Sequence, residues 1–99
     1  PAERLVGKKM TPGESLAALQ RALALLAEVE PFEVEAMESP MRALADELGL
    51  KAGQLFGILR WAVTGQKVAP PLFGSLAVLG RGRVLARLDT AENILVSLV

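Results

Sequence analysis

The chain has 99 residues, enough for one domain with its own core but with little stability to spare. Hydrophobic residues make up 52% of it, yet no apolar run approaches the roughly 20 residues a spanning helix needs, so no membrane segment is expected. Without cysteine or histidine the chain has no disulfides, no thiol or histidine acid–base chemistry and almost no means of holding a transition metal, and its zero net charge hides a partition of −4 over residues 1–50 and +4 over residues 51–99.

Residues 1–10, with the basic Gly7-Lys8-Lys9, read as a linker, and residues 11–99 as the domain. Thr11-Pro12-Gly13-Glu14 has the form of a capping box: Thr11 caps the first turn, Pro12 suits the first helical position and Glu14 reaches back to the cap amide. Leu16, Leu19, Leu23 and Leu26 then recur at spacings of three and four, which predicts an apolar stripe running to about Glu30, where Pro31 stops the helix. A second helical stretch covers 34–48, with Met37, Met41, Leu44 and Leu48 on one face. Pro40 divides it, so a kink or a fresh start with Ser39 as N-cap is expected, and Gly49 suits the position after its end. The third helix spans about 52–63, buries Leu55, Ile58, Leu59 and Ala62, and ends at Gly65. Residues 65–71 contain Pro70-Pro71 and predict an irregular loop opening a short helix over 72–79, closed by Gly80. The last helix is expected from about 81 to 97, burying Val84, Leu85, Leu88, Ile94, Leu95 and Leu98. No alternating strand pattern competes, so the predicted class is all-α.

No acidic residue occurs between Glu47 and Asp89, whereas Lys51, Arg60, Lys67, Arg81, Arg83 and Arg87 lie there, which makes a polyanion the first partner to consider. Arg60 stands out because it is set between Leu59 and Trp61 in an apolar helix. Its readings are a solvated helix face or recognition of phosphate or base by a planar fork of donors. Arg42 has the same two readings, with Glu38 and Asp46 as local competitors at helical spacing. Phe56 and Trp61 are five apart and read as core. Phe73, after Pro70-Pro71, reads either as a stacking platform for an unpaired base or as a hydrophobic staple. Arg81, Arg83 and Arg87 could line the start of the last helix, where cations oppose the helix dipole unless a phosphate binds. A helical protein-interaction module is the main alternative to a nucleic-acid binder. A DNA-binding helix-turn-helix lacks a recognition helix here, and a standalone enzyme lacks any nucleophile–base pair.

Gly49-Leu50-Lys51, Gln54-Leu55-Phe56, Leu59-Arg60, Ala62-Val63-Thr64-Gly65, Pro70, Leu72-Phe73, Leu79-Gly80 and Arg87-Leu88 together resemble the C-terminal anticodon-binding domain of bacterial glutamyl-tRNA synthetases. The resemblance implies a compact cage of about five to six short helices around the anticodon loop of tRNA(Glu). It also implies a class I parent enzyme, cytoplasmic and monomeric, whose separate catalytic domain uses ATP and magnesium to make glutamyl-adenylate. Neither class I signature occurs, so the chain is expected to be the distal, non-catalytic portion of such an enzyme, binding no cofactor itself. Carried over position by position, the family's anticodon contacts fall on Arg42, Arg60, Ala69, Pro70, Leu72 and Phe73. The family commonly has threonine at Ala69, so a backbone contact is implied there, and Pro71 stands where glycine is frequent, stiffening the loop.

Overall fold

The structure, a computed structural model, describes residues 2–66 and 71–99. All regular elements among the described residues are helical, in accord with the predicted class. A 3-10 turn at Ala2–Leu5 precedes α1 (Pro12–Glu28), α2 (Val34–Glu47), α3 (Ala52–Thr64), α4 (Leu72–Leu79) and α5 (Arg81–Val96). Among the described residues no helix is long and apolar enough to cross a membrane.

The start of α1 follows the sequence closely. The Glu14 amide donates to Thr11 Oγ1 at 3.1 Å, and the Thr11 amide donates to Glu14 Oε1 at 2.8 Å. The buried face follows the leucines only in part, through Leu19 and Leu26. Ser15, Ala18, Leu19, Ala22 and Leu26 are buried, whereas Leu16 and Leu23 sit half-buried at the margin. Small side chains on that face allow a close approach to α5, the principal neighbour of α1, so the helix is turned away from its leucine stripe toward its alanines. The helix ends at Glu28, before the predicted Glu30.

Residues 2–10, expected as a linker, lie packed on the helices. Leu5 enters the core, the Gly7 amide donates to the fully buried Ser15 Oγ at 2.8 Å, and Gln54 Nε2 donates to the Lys8 carbonyl at 2.7 Å. A Cβ on Gly7 would crowd Met10 Sδ and stand 3.1 Å from Ile58 Cδ1, so a larger residue there obliges those side chains to shift.

Pro40 starts no new helix, because α2 is continuous through it. An interior proline costs about 3 kcal/mol, but Met37 and Met41 on either side of it are fully buried, each stabilising by about 1.5–3 kcal/mol. A break between them would separate the pair. Pro40 itself is exposed, where a carbonyl deprived of its amide partner can turn to water.

Helices α3 and α4 meet expectation in their bounds, with Leu55, Ile58 and Leu59 buried on α3 as expected, Val63 buried in place of the half-buried Ala62, and Leu72, Phe73 and Leu76 buried on α4. Gly65 ends α3 at φ 68°, a left-handed conformation costly for any residue with a Cβ, and its amide donates to the Trp61 carbonyl. On α5 the buried residues are Val84, Leu88, Ala91 and Leu95. Ile94 and Leu98, predicted to be core, are 37% and 38% exposed. The last apolar residues thus outnumber the positions that α1 and α3 cover.

Candidate nucleic-acid interface

Three helices contribute walls to a concavity of about 220 Å³. Val34, Glu38 and Arg42 stand one turn apart along α2, Phe56 and Arg60 one turn apart along α3, and Pro71, Leu72, Phe73 and Gly74 form the start of α4. Four of the six predicted site residues, Arg42, Arg60, Leu72 and Phe73, therefore come together. The other two, Ala69 and Pro70, lie outside the described residues, as does Lys67.

The two arginines are held differently. Arg42 bonds Glu38 through Nε at 3.0 Å and Nη2 at 2.9 Å, the local competitor foreseen from the spacing, and its guanidinium carbon lies 5.3 Å from the centre of the Phe56 ring. Both partners of the ion pair are substantially exposed. An exposed pair at this spacing is worth only about 0.3–0.5 kcal/mol, less than the roughly 1–3 kcal/mol of a bidentate contact with a base, so Glu38 orients Arg42 without withholding it. Arg60 is half-buried and forms no salt bridge among the described residues.

Phe73 is only 6% exposed and meets Phe56 edge-to-face, with ring centroids 5.0 Å apart and planes at 89°. Its place at the start of α4, beside the buried Leu72 and one turn before Leu76, commits it to the core. Phe56, read from sequence as core, is half-buried and lines the concavity beneath Arg42. Trp61 is likewise half-buried rather than core, and the Arg4 guanidinium lies 4.8 Å from its ring centre.

Two of the other cations in the acid-free stretch, Arg81 and Arg87, have different tasks. Arg81 Nη1 donates to the carbonyls of Leu26 at 2.9 Å and Ala27 at 3.1 Å, its Nη2 pairs with Glu30, and its guanidinium carbon stands 5.0 Å from the Phe32 ring centre. Arg87 Nη1 donates to the Val63 carbonyl at 2.6 Å. Neither α1 nor α3 has a basic residue in its own last turn, so α5 supplies both C-terminal ends with a cation where the helix dipole favours one. Arg81 thereby turns away from the N-terminal end of its own helix. Nothing in the sequence near either arginine announces these roles, since the partner carbonyls are 24 to 55 residues distant.

Comparison with known proteins agrees with this architecture. The family described as "Anticodon binding domain" matches residues 2–92. A glutamate–tRNA ligase of Roseiflexus sp. is 53% identical over 91 residues, 92% of this chain, and one of Dehalococcoides mccartyi is 54% identical over 87 residues, 88% of the chain. One from Mycolicibacterium smegmatis is 44% identical over 92 residues. The chain spans less than a fifth of the length of these curated relatives, 18% of each of the first two and 19% of the third.

Proposed function

This chain belongs to the anticodon binding domain family, and on that premise we propose that it is the anticodon-binding part of a glutamate–tRNA ligase, holding tRNA(Glu) by its anticodon loop. The observation that carries the reading is the convergence of Arg42 and Arg60, from two helices, over an apolar floor of Phe56, Leu72 and Phe73. Sequence-specific RNA recognition favours unstacked loop bases, which need apolar or aromatic contact for their faces and fixed donors for their edges. Arg60 offers donors with no ion pair among the described residues, Arg42 is oriented by Glu38 and Phe56, and Phe73 backs Phe56 from within the core. Rigid helices support all of these side chains, so the donors are in place before the RNA arrives. Ala69 and Pro70, which precede Pro71 in the sequence, are assigned further contacts with the loop.

In this reading the domain works in the cytoplasm, within a monomeric enzyme whose catalytic domain binds ATP and magnesium and forms the glutamyl ester. The domain contributes position, holding the far end of the tRNA while the acceptor end reaches that catalytic site.

The test is binding of a fluorescein-labelled anticodon stem-loop of tRNA(Glu), compared with the same hairpin carrying substituted anticodon bases. Arg60→Ala should weaken the cognate hairpin by about 1–3 kcal/mol and narrow the gap between the two hairpins. Equal affinity of the unaltered chain for both hairpins would overturn the assignment.

A further inference from the structure

A second concavity, of about 450 Å³, adjoins the first and shares Arg60 with it. It runs between α3 and the packed segment 2–10. Its lining includes Arg4, Lys8, Arg60 and Trp61 and no carboxylate. Gly53 and Gly57 leave its α3 wall low, with nothing within 4 Å of where a Cβ would stand on either. At its edge the guanidinium of Arg4 lies over the half-buried indole of Trp61, which gives a flat cationic and aromatic surface of the kind on which a nucleobase stacks. Gln54 holds the Lys8 carbonyl and the Gly7 amide is held by Ser15, so the segment carrying Arg4 and Lys8 is anchored to the helices at Gly7 and Lys8.

We propose that this groove is a second RNA subsite, which takes the nucleotide flanking the anticodon: its base stacks on the Arg4–Trp61 pair and its phosphate is met by Lys8 and Arg60. The inference rests on the anticodon-binding reading, because it is the continuity through Arg60 that selects a nucleic-acid strand as occupant. A strand leaving the first concavity over Arg60 enters the second directly. The chemistry differs between them. The first offers edge donors over an apolar floor, whereas the second offers a stacking face and phosphate partners, and so contributes affinity with little sequence preference.

Trp61 is the only tryptophan in the chain, so its emission reports on this groove and on the neighbouring concavity that Trp61 and Arg4 also line with Arg87, and Lys8→Gln, at a residue that lines this groove only, separates the two. Titration with the anticodon stem-loop should quench Trp61 with the same midpoint as the fluorescein anisotropy. A hairpin made abasic at the two loop positions flanking the anticodon should bind about tenfold more weakly and leave Trp61 unquenched, while still distinguishing cognate from substituted anticodon bases. The exposed pair Arg4→Gln with Lys8→Gln should lose at least the same tenfold on the intact hairpin and clearly less on the abasic one, which keeps the phosphate that Lys8 meets but not the stacking base. Anticodon-dependent binding with unchanged Trp61 emission and unchanged affinity in the double variant would overturn the second subsite and leave the anticodon reading standing. Equal quenching by polyglutamate at matched charge would also overturn it, in favour of an acidic protein partner. Loss of all anticodon dependence in the unaltered chain would instead remove the premise.

Discussion

Replacing Arg81 by alanine removes four interactions at once, and their sum can be worked from the structure. Two hydrogen bonds reach the last carbonyls of α1, at 2.9 and 3.1 Å from a side chain that is 27% exposed. Charge-assisted bonds are worth about 1.5–3 kcal/mol when buried, but these carbonyls regain water once the arginine is gone, so about 1 kcal/mol for the two together is appropriate. The Phe32 contact adds roughly 0.5 kcal/mol, and the favourable charge at the end of α1 about 0.5 kcal/mol. Glu30 is 79% exposed on its side of the ion pair and adds next to nothing. The total is about 2 kcal/mol, which for a chain of this length lowers the melting temperature by roughly 8–16 °C. Circular dichroism melts of Arg81→Ala and of Arg83→Ala make the comparison, because Arg83 is exposed and should shift the transition by no more than about 0.5 kcal/mol. At a temperature well below both transitions, Arg81→Ala should still discriminate between cognate and substituted anticodon hairpins. Equal melting temperatures for the two variants, or loss of anticodon discrimination in folded Arg81→Ala, would refute the assignment of this arginine to the end of α1 rather than to RNA.

Arg87→Ala, which deprives the Val63 carbonyl of its donor, should cost about 1 kcal/mol in urea unfolding. Thr11→Ala abolishes the capping box and should likewise lower stability by about 1 kcal/mol, read from the same transition. Ser15→Ala leaves the Gly7 amide without its acceptor, so a loss of about 1–2 kcal/mol is expected, with faster hydrogen exchange confined at first to residues 2–10. Gly65→Ala places a Cβ at φ 68° and should destabilise by about 1 kcal/mol, measured by thermal melting.

Helix bounds were legible in the sequence because their causes are local. Thr11 and Glu14 cap α1 three residues apart, and the glycines at 49, 65 and 80 mark ends at positive φ. The buried face of α1 was legible only at Leu19 and Leu26, because hydrophobic spacing also weights Leu16 and Leu23 while close approach to α5 favours Ser15, Ala18 and Ala22. Pro40 looks disruptive by local rules and is overruled by the methionines on either side of it, a tertiary effect. At the candidate site, one-turn spacing along α2 and α3 already aligned Arg42 with Glu38 and Arg60 with Phe56. That the two helices face each other across the start of α4 was accessible only through resemblance to the synthetase family, since no local pattern encodes it. The exchange of roles between Phe56 and Phe73 escaped even that, because it depends on which ring the start of α4 turns inward. Arg4 and Lys8 were set aside with a segment expected to be a linker, and only the burial of Leu5 brings them onto the body of the protein.

The two arginines that α5 extends to the ends of α1 and α3 also bear on timing. A chain is synthesised from its N-terminus and its early segments begin to fold first, so α1 through α4 exist before residues 81–87 are made. Until then the carbonyls of Leu26, Ala27 and Val63 are left to solvent, and α1 lacks its principal neighbour. Fastening waits for a contact that closes a loop of 54 or 55 residues. The last helix thus acts as a latch: the contacts that fasten α1 and α3 in place become available only when nearly the whole of residues 1–99 has been translated.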